Sequence, residues 1–366
     1  MSKHLFISNF NMARFFLKLF LLSLPVIILL GLPAAAFIFT REYYNASDIV
    51  QAQTKNKNIL YNSGTANIRK EYKRELIKEK PSEVVIIGTS RILAIRREFF
   101  KNPEKITNAG QIITSFSELD QVGKMIKDKT KFVIIGLDPQ MFNPDFINQD
   151  IPSAVLGNRV ERFGNLLGTY WKKFYSDLIS GRVNVITLWS NRKTENIGLS
   201  SLQNLSGFRD DGSYEYGPSV WNNKHDERIK LDVDQSVDVL KANRSSYLYG
   251  TRISEGALND IDSFLAFCKK NNIEVVGFMT PQPHRVYAEF KKVNDVYSYI
   301  QKELPKKVNT IFVKYGYKFL DLSDSEIIGV SENDFADPLH GGEEVYKKAL
   351  FYMSLPSKGL YELLAS

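Results

Sequence analysis

Three short runs in this chain are apolar at every position: Val84-Val85-Ile86-Ile87, Phe132-Val133-Ile134-Ile135 and Val275-Val276-Gly277-Phe278-Met279. A strand with one wet face alternates apolar and polar residues. An unbroken β-branched run instead suits a strand buried on both faces, as in a parallel sheet covered by helices. Helical spacing fills the intervals, around 117–127, over 258–271, and over about 286–313 before a short strand at Lys318–Asp321. Strands alternating with helices give an α/β fold with a parallel sheet. Ligands of such sheets bind beyond the carboxyl ends of the strands. Ser90, Gly110, Asp138 and His284 each come just after an expected strand and so gather at one rim.

A second feature lies upstream. Residues 19–39 (LFLLSLPVIILLGLPAAAFIF) hold 21 positions without a charge, enough at 1.5 Å per residue to cross a hydrocarbon core of about 30 Å. A signal peptide cut near Ala34-Ala35-Ala36 is the competing reading. The apolar run continues past that point through Phe37-Ile38-Phe39, which favours an uncleaved anchor. Lys3, Arg14 and Lys18 precede it with no acid in the first 40 residues, so residues 1–18 are expected in the cytoplasm and the bulk of the chain outside. The expected address is the cell membrane, single-pass. Residues 40–80 are polar and end in the charged stretch ANIRKEYKRELIKEK before Pro81, which reads as a solvated stalk. The globular domain is expected over 81–366.

Composition trims the options. The net charge is +7, and only +4 remains once the basic N-terminus is set aside, so no nucleic acid partner is expected. The lone Cys268 removes any cysteine-cluster zinc site, and His4, His225, His284 and His340 are scattered. No metal and no cofactor is expected.

Two motifs carry chemistry. Gly88-Thr89-Ser90 turns a strand toward a helix, where Ser90 and neighbouring N–H groups can hold a developing oxyanion. Asp337-Pro338-Leu339-His340 places a carboxylate three residues before an imidazole, so the carboxylate can fix the tautomer while the other ring nitrogen takes a proton from serine. Each motif alone is common. Their order, serine after the first strand and the Asp/His pair beyond the last, is what joins them.

That order, with Gly110 after the second strand, resembles the SGNH (GDSL-like) hydrolase superfamily over about 80–136 and 258–350. The resemblance implies a flavodoxin-like three-layer α/β/α fold with Ser90 as nucleophile, His340 as base and Asp337 as its orienter. It also makes Gly110 an oxyanion donor beside Ser90. The family's third block departs here: Gly136-Leu137-Asp138-Pro139 lacks the usual asparagine, and Asn108 and Asn143 are the two candidates to replace it. The anchor, Gly-Thr-Ser-Arg, Gly-Leu-Asp-Pro, Pro-x-Pro-His and Asp-Pro-Leu-His together look like a membrane-anchored branch that includes the teichoic-acid D-alanine transfer protein and the alginate O-acetylation proteins. That likeness implies acyl esters of an envelope polysaccharide or teichoic acid as substrate and a membrane-bound O-acyltransferase as partner. Transfer and hydrolysis both stay open, as does a catalytically inactive accessory role.

Three softer candidates remain at the rim. Arg91, in the first turn after the strand, opposes the helix dipole and hints at an anionic ligand. Asp138 and His284 join it as substrate-binding candidates. Between 140 and 257 the alternation fades, so a large insertion after the third strand is expected, with its Trp and Tyr residues and Arg209 either over the rim or in a core of their own.

Overall fold

The computed structural model describes residues 6–65, 68–144, 158–241, 250, 252–293 and 295–365. The start of the expected cytoplasmic N-terminus, residues 66–67 of the expected stalk, and 145–157, 242–249 and 251 of the expected insertion lie outside them.

The fully apolar runs form strands. In chain order the strands are β1 (Val84–Gly88), β2 (Ile106–Gly110), β3 (Phe132–Leu137), β4 (Gly207–Phe208), β5 (Tyr214–Glu215), β6 (Glu274–Met279), β7 (Lys318–Asp321), β8 (Phe335–Asp337) and β9 (His340–Gly341). Five of them make one parallel sheet in the order β2-β1-β3-β6-β7. Every residue of β1, β2 and β3 is buried, so both faces are covered. The order reverses direction at β1, and the crevice beyond the ends of β1 and β3 is where doubly wound sheets place their ligands. The hairpins β4–β5 and β8–β9 are antiparallel and stand apart from the sheet.

The helices are α1 (Phe6–Phe39), α2 (Ala46–Lys55), α3 (Arg69–Glu79), α4 (Leu119–Ile126), α5 (Arg159–Ile179), α6 (Val185–Ser190), α7 (Leu199–Asn204), α8 (His225–Lys241), α9 (Glu255–Lys270), α10 (His284–Val293), α11 (Asp295–Lys314), α12 (Glu343–Ser354) and α13 (Lys358–Leu363). The main core joins the sheet to Phe264 and Leu265 of α9, Val308 and Phe312 of α11, and Tyr346 and Met353 of α12. The single helix expected over 286–313 is two, α10 and α11. The helix expected after Ser90 is a short 3₁₀ turn, Ser90–Ala94.

In α1, Met12–Phe39 is long and apolar enough to span a membrane; its 18-residue apolar window has a mean hydropathy of 2.5 and is not buried in protein. The segment between α1 and the first strand is not a stalk. Ile49 and Val50 of α2 and Tyr72 and Leu76 of α3 form a second core with Ile59, Tyr61, Ile197 and Phe208. The charged sequence of α3 misleads because Lys73 is inside: its Nζ donates to the Asn108 carbonyl at 2.9 Å and to the Gly212 carbonyl. Burial pushes the Lys73 amine down to about 7 against the opposing pull of Asp211.

Between β3 and α9, α5 and α7 pack on the C-terminal end of α1, burying Phe37 with Leu166, Phe174, Leu199 and Leu202. The link is also polar. The Gly198 N–H donates to the Thr40 carbonyl at 2.8 Å and the Leu199 N–H to the Glu42 carboxylate at 2.6 Å. Buried Glu42 also accepts from the Thr65 N–H at 3.0 Å and its hydroxyl at 2.7 Å. The segment that emerges from α1 is thereby built into the wall that carries Ser200 and Asn204.

Candidate active site

β1 delivers Ser90. Its last residue, Gly88, lies so close to the end of β3 that a Cβ there would sit 2.8 Å from the Gly136 carbonyl oxygen. Thr89 is extended and caps the turn, its hydroxyl oxygen accepting from the Arg91 N–H at 3.3 Å. Ser90 opens that turn, so its N–H has no partner within the turn itself.

The β8–β9 hairpin delivers the other two groups. Asp337 Oδ1 accepts the N–H groups of Leu339 at 2.8 Å and His340 at 3.0 Å, which folds the four-residue motif back on itself. The ring of His340 then presents Nδ1 to the carboxylate, 2.9 Å from Oδ1 and 2.8 Å from Oδ2. Its Nε2 lies 2.9 Å from Ser90 Oγ. Since a carboxylate can only accept, the proton sits on Nδ1, and bare Nε2 accepts from the Ser90 hydroxyl. Burial pushes the Asp337 carboxyl up, but the His340 hydrogen bond, its charge and the two backbone donors outweigh this and hold it below the usual carboxylate range. Ser90 and the Asp337–His340 pair, some 250 positions apart in the chain, are brought into one line of hydrogen bonds.

The other expected site residues are placed differently. The Gly110 N–H is spent on Asn108 Oδ1 at 2.8 Å, while Asn108 Nδ2 donates to the carbonyls of Ile92 at 2.9 Å and Ile95 at 2.8 Å. Asn108 is 1 % exposed and acts as a brace beneath the Ser90 turn, so neither residue offers a donor to an oxyanion in this arrangement. Asn143 is buried against Gly250 and does not line the cavity. Arg91 and Asp138 are likewise internal, 2 % and 0 % exposed. Arg91 Nε stands 3.7 Å from Asp138 Oδ1, and the hydroxyls of Thr89 and Thr280 both donate to the Asp138 carboxylate. This buried knot ties the ends of β1, β3 and β6 together under Ser90; it does not meet substrate. His284, at the start of α10, donates from Nδ1 to the Asp324 carboxylate at 2.9 Å and lies 3.3 Å from Glu326, outside the cavity. Those three are a largely exposed group with the spacing of a metal site, and none of them lines the cavity beside Ser90. Arg209 pairs with Glu215 and, at 3.1 Å, with Glu343.

The triad opens into a cavity of about 520 Å³. Its polar lining includes Asn62, Arg69, Ser200, Asn204 and Ser206, and its aromatic lining Phe208, Tyr214 and Tyr216. Two groups there give no sign of themselves in the sequence. Gln111 adopts a left-handed backbone (φ 69°), rare for a residue with a side chain, and its Oε1 is buried without a hydrogen-bond partner. The Tyr216 hydroxyl is also buried without one, its ring 6.3 Å from that of His340. Unpaired buried polar atoms are costly, and both belong to side chains that line this cavity. The chain matches no family model, no curated protein and no solved structure.

Proposed function

We propose that this chain is a membrane-tethered, extracytoplasmic serine esterase or acyltransferase on an SGNH-type, flavodoxin-like α/β/α fold. The observation that carries the reading is the Ser90 Oγ–His340 Nε2 contact of 2.9 Å, with Asp337 on the opposite ring nitrogen. The sheet order β2-β1-β3-β6-β7, with serine after the first strand and the Asp/His pair after the last, supports the fold assignment, and residues 140–257 correspond to its insertion.

His340 takes the Ser90 proton as Oγ attacks an acyl carbonyl. The Ser90 N–H is one donor to the oxyanion. Gln111, whose side chain lines the same cavity as Ser90, supplies the second through its Nε2–H. His340 then protonates the leaving group, and water or a polymer hydroxyl attacks the acyl-serine. The route calls on no metal or cofactor. The hydroxyl- and amide-lined cavity suits a polyhydroxylated acceptor, in keeping with acyl esters of an envelope polysaccharide or teichoic acid handled beside a membrane-bound O-acyltransferase.

A fluorophosphonate probe tests this directly. Wild type should label covalently and Ser90→Ala should not; equal labelling of the two ends the proposal. The rival reading, an inactive accessory protein that binds polymer or an acyltransferase, is favoured by one observation, the capture of the Gly110 N–H by Asn108. It predicts no labelling of either form.

A further inference from the structure

The helix that spans the membrane is not alone at its depth. α5 runs antiparallel to α1 from its outer end. Arg162, near its start, donates to the Tyr43 carbonyl at 3.2 Å, and Tyr175, near its finish, donates to the Ile28 carbonyl at 3.1 Å. Ile28 lies about 16 Å inside Phe39 along the helix axis. The apolar stretch Met12–Phe39 has 28 residues, roughly 42 Å, which exceeds a 30 Å hydrocarbon core by about 12 Å. Even with all of that excess on the outer side, the Tyr175–Ile28 contact lies about 4 Å inside the hydrocarbon.

The segment beyond Tyr175 is apolar on its outside. Ile179 is 85 % exposed, Val185 57 %, Ile186 77 % and Trp189 59 %, and Trp189 stacks on Phe39 at the end of the span. Soluble surfaces rarely expose such a run. Charge points the same way. Residues 172–193 hold Lys172, Lys173, Arg182, Arg192 and Lys193 against the single acid Asp177, and Asp177 is neutralised by Lys173 and, at 2.8 Å, by Arg182. Lys172, Arg192 and Lys193 have no carboxylate partner among the described residues. Lys172 and Arg192 lie over Trp171 and Trp189 at 5.5 and 4.4 Å. Aromatic rings with long cations beside them are the furniture of a lipid headgroup layer.

We infer that the α5–α6 hairpin is a membrane-docking surface that inserts Ile179, Val185, Ile186 and Trp189 into the outer leaflet and sets Lys172, Arg192 and Lys193 against anionic phospholipid headgroups. The inference rests on α1 being a membrane span and is independent of the serine chemistry.

Cys268 is buried, its thiol pushed up to about 12, so single-cysteine labelling of the full chain has no competitor. A polarity-sensitive fluorophore is placed on Ile186→Cys, on Leu22→Cys within α1, and on Tyr361→Cys on the far surface, and each protein is put in nanodiscs with acyl-chain-brominated lipids. The label at 186 should be quenched at least half as strongly as that at 22, and several-fold more than that at 361. Quenching at 22 with 186 no better than 361 overturns the docking surface while leaving the span intact. No quenching at 22 removes the span and the inference with it. Quenching at 186 should rise at least twofold from phosphatidylcholine to phosphatidylglycerol discs; equal values overturn the headgroup assignment.

Discussion

Replacing Asp337 by asparagine changes one atom at the site, and the hydrogen bonds fix what that atom does. Oδ1 accepts two backbone N–H groups, from Leu339 and His340. An asparagine keeps its oxygen there, because an NH₂ group cannot accept. Its Nδ2 then takes the place of Oδ2, 2.8 Å from His340 Nδ1, and donates to that nitrogen. The ring must move its proton to Nε2, which can no longer accept from Ser90. The imidazolium formed in the transition state also loses its counter-charge; at about 4 Å and an effective dielectric of 20 that attraction is ~4 kcal/mol, or roughly three decades in rate. The same change in a serine-protease triad costs about 10⁴. The second-order rate of fluorophosphonate labelling should therefore fall ~10³- to 10⁴-fold for Asp337→Asn, with the thermal midpoint nearly unchanged because the turn keeps both backbone bonds. The wild-type carboxyl is held below its ordinary range. The carboxylate that orients His340 is thus present above that range and is lost only as pH falls through the lowered value, whereas the variant is slow at every pH. Labelling within tenfold of wild type by a folded variant would refute the proposed proton chain.

Other contacts set further expectations. Gln111→Ala should slow turnover of an aryl acetate ester by about 10²-fold, the usual cost of one oxyanion donor, with little change in thermal midpoint; unaltered turnover returns the donor role to another group. Lys73 has a folded value of about 7, below its unfolded one, so the unfolded chain binds more protons between the two and stability rises with pH there. Denaturant titration should show wild type gaining about 2 kcal/mol between pH 7 and 9 relative to Lys73→Met; parallel curves would disprove it. Arg91→Leu leaves Asp138 buried without its cation and should cost about 3 kcal/mol, read as a lower thermal midpoint. A folded Arg91→Leu protein of wild-type stability would contradict the buried knot beneath Ser90.

The sheet was legible because its strands are apolar at every position, a pattern few other structures accept. Ser90, Asp337 and His340 were legible by order along the chain, since strand ends converge in a parallel sheet. What escaped was pairing between distant polar groups. Arg91 and Asp138 each look like surface charges until they are seen to face one another in the interior. The charged face of α3 looks solvated until the carbonyls of Asn108 and Gly212 are found on Lys73. Asn108 consumes the N–H two residues ahead of it, and spacing alone does not say whether a side chain will curl that way. Nothing in a glutamine announces a left-handed backbone, so Gln111 passed unnoticed.

The bonds that Thr40 and Glu42 make with Gly198 and Leu199 leave the Ser90 chamber no leash. With α1 in a bilayer, as proposed, a chamber riveted to the end of that helix cannot sweep away from the surface; it patrols a plane. On that reading its encounters become a two-dimensional search, fast for whatever else diffuses laterally in the same sheet and closed to anything that never comes down to it.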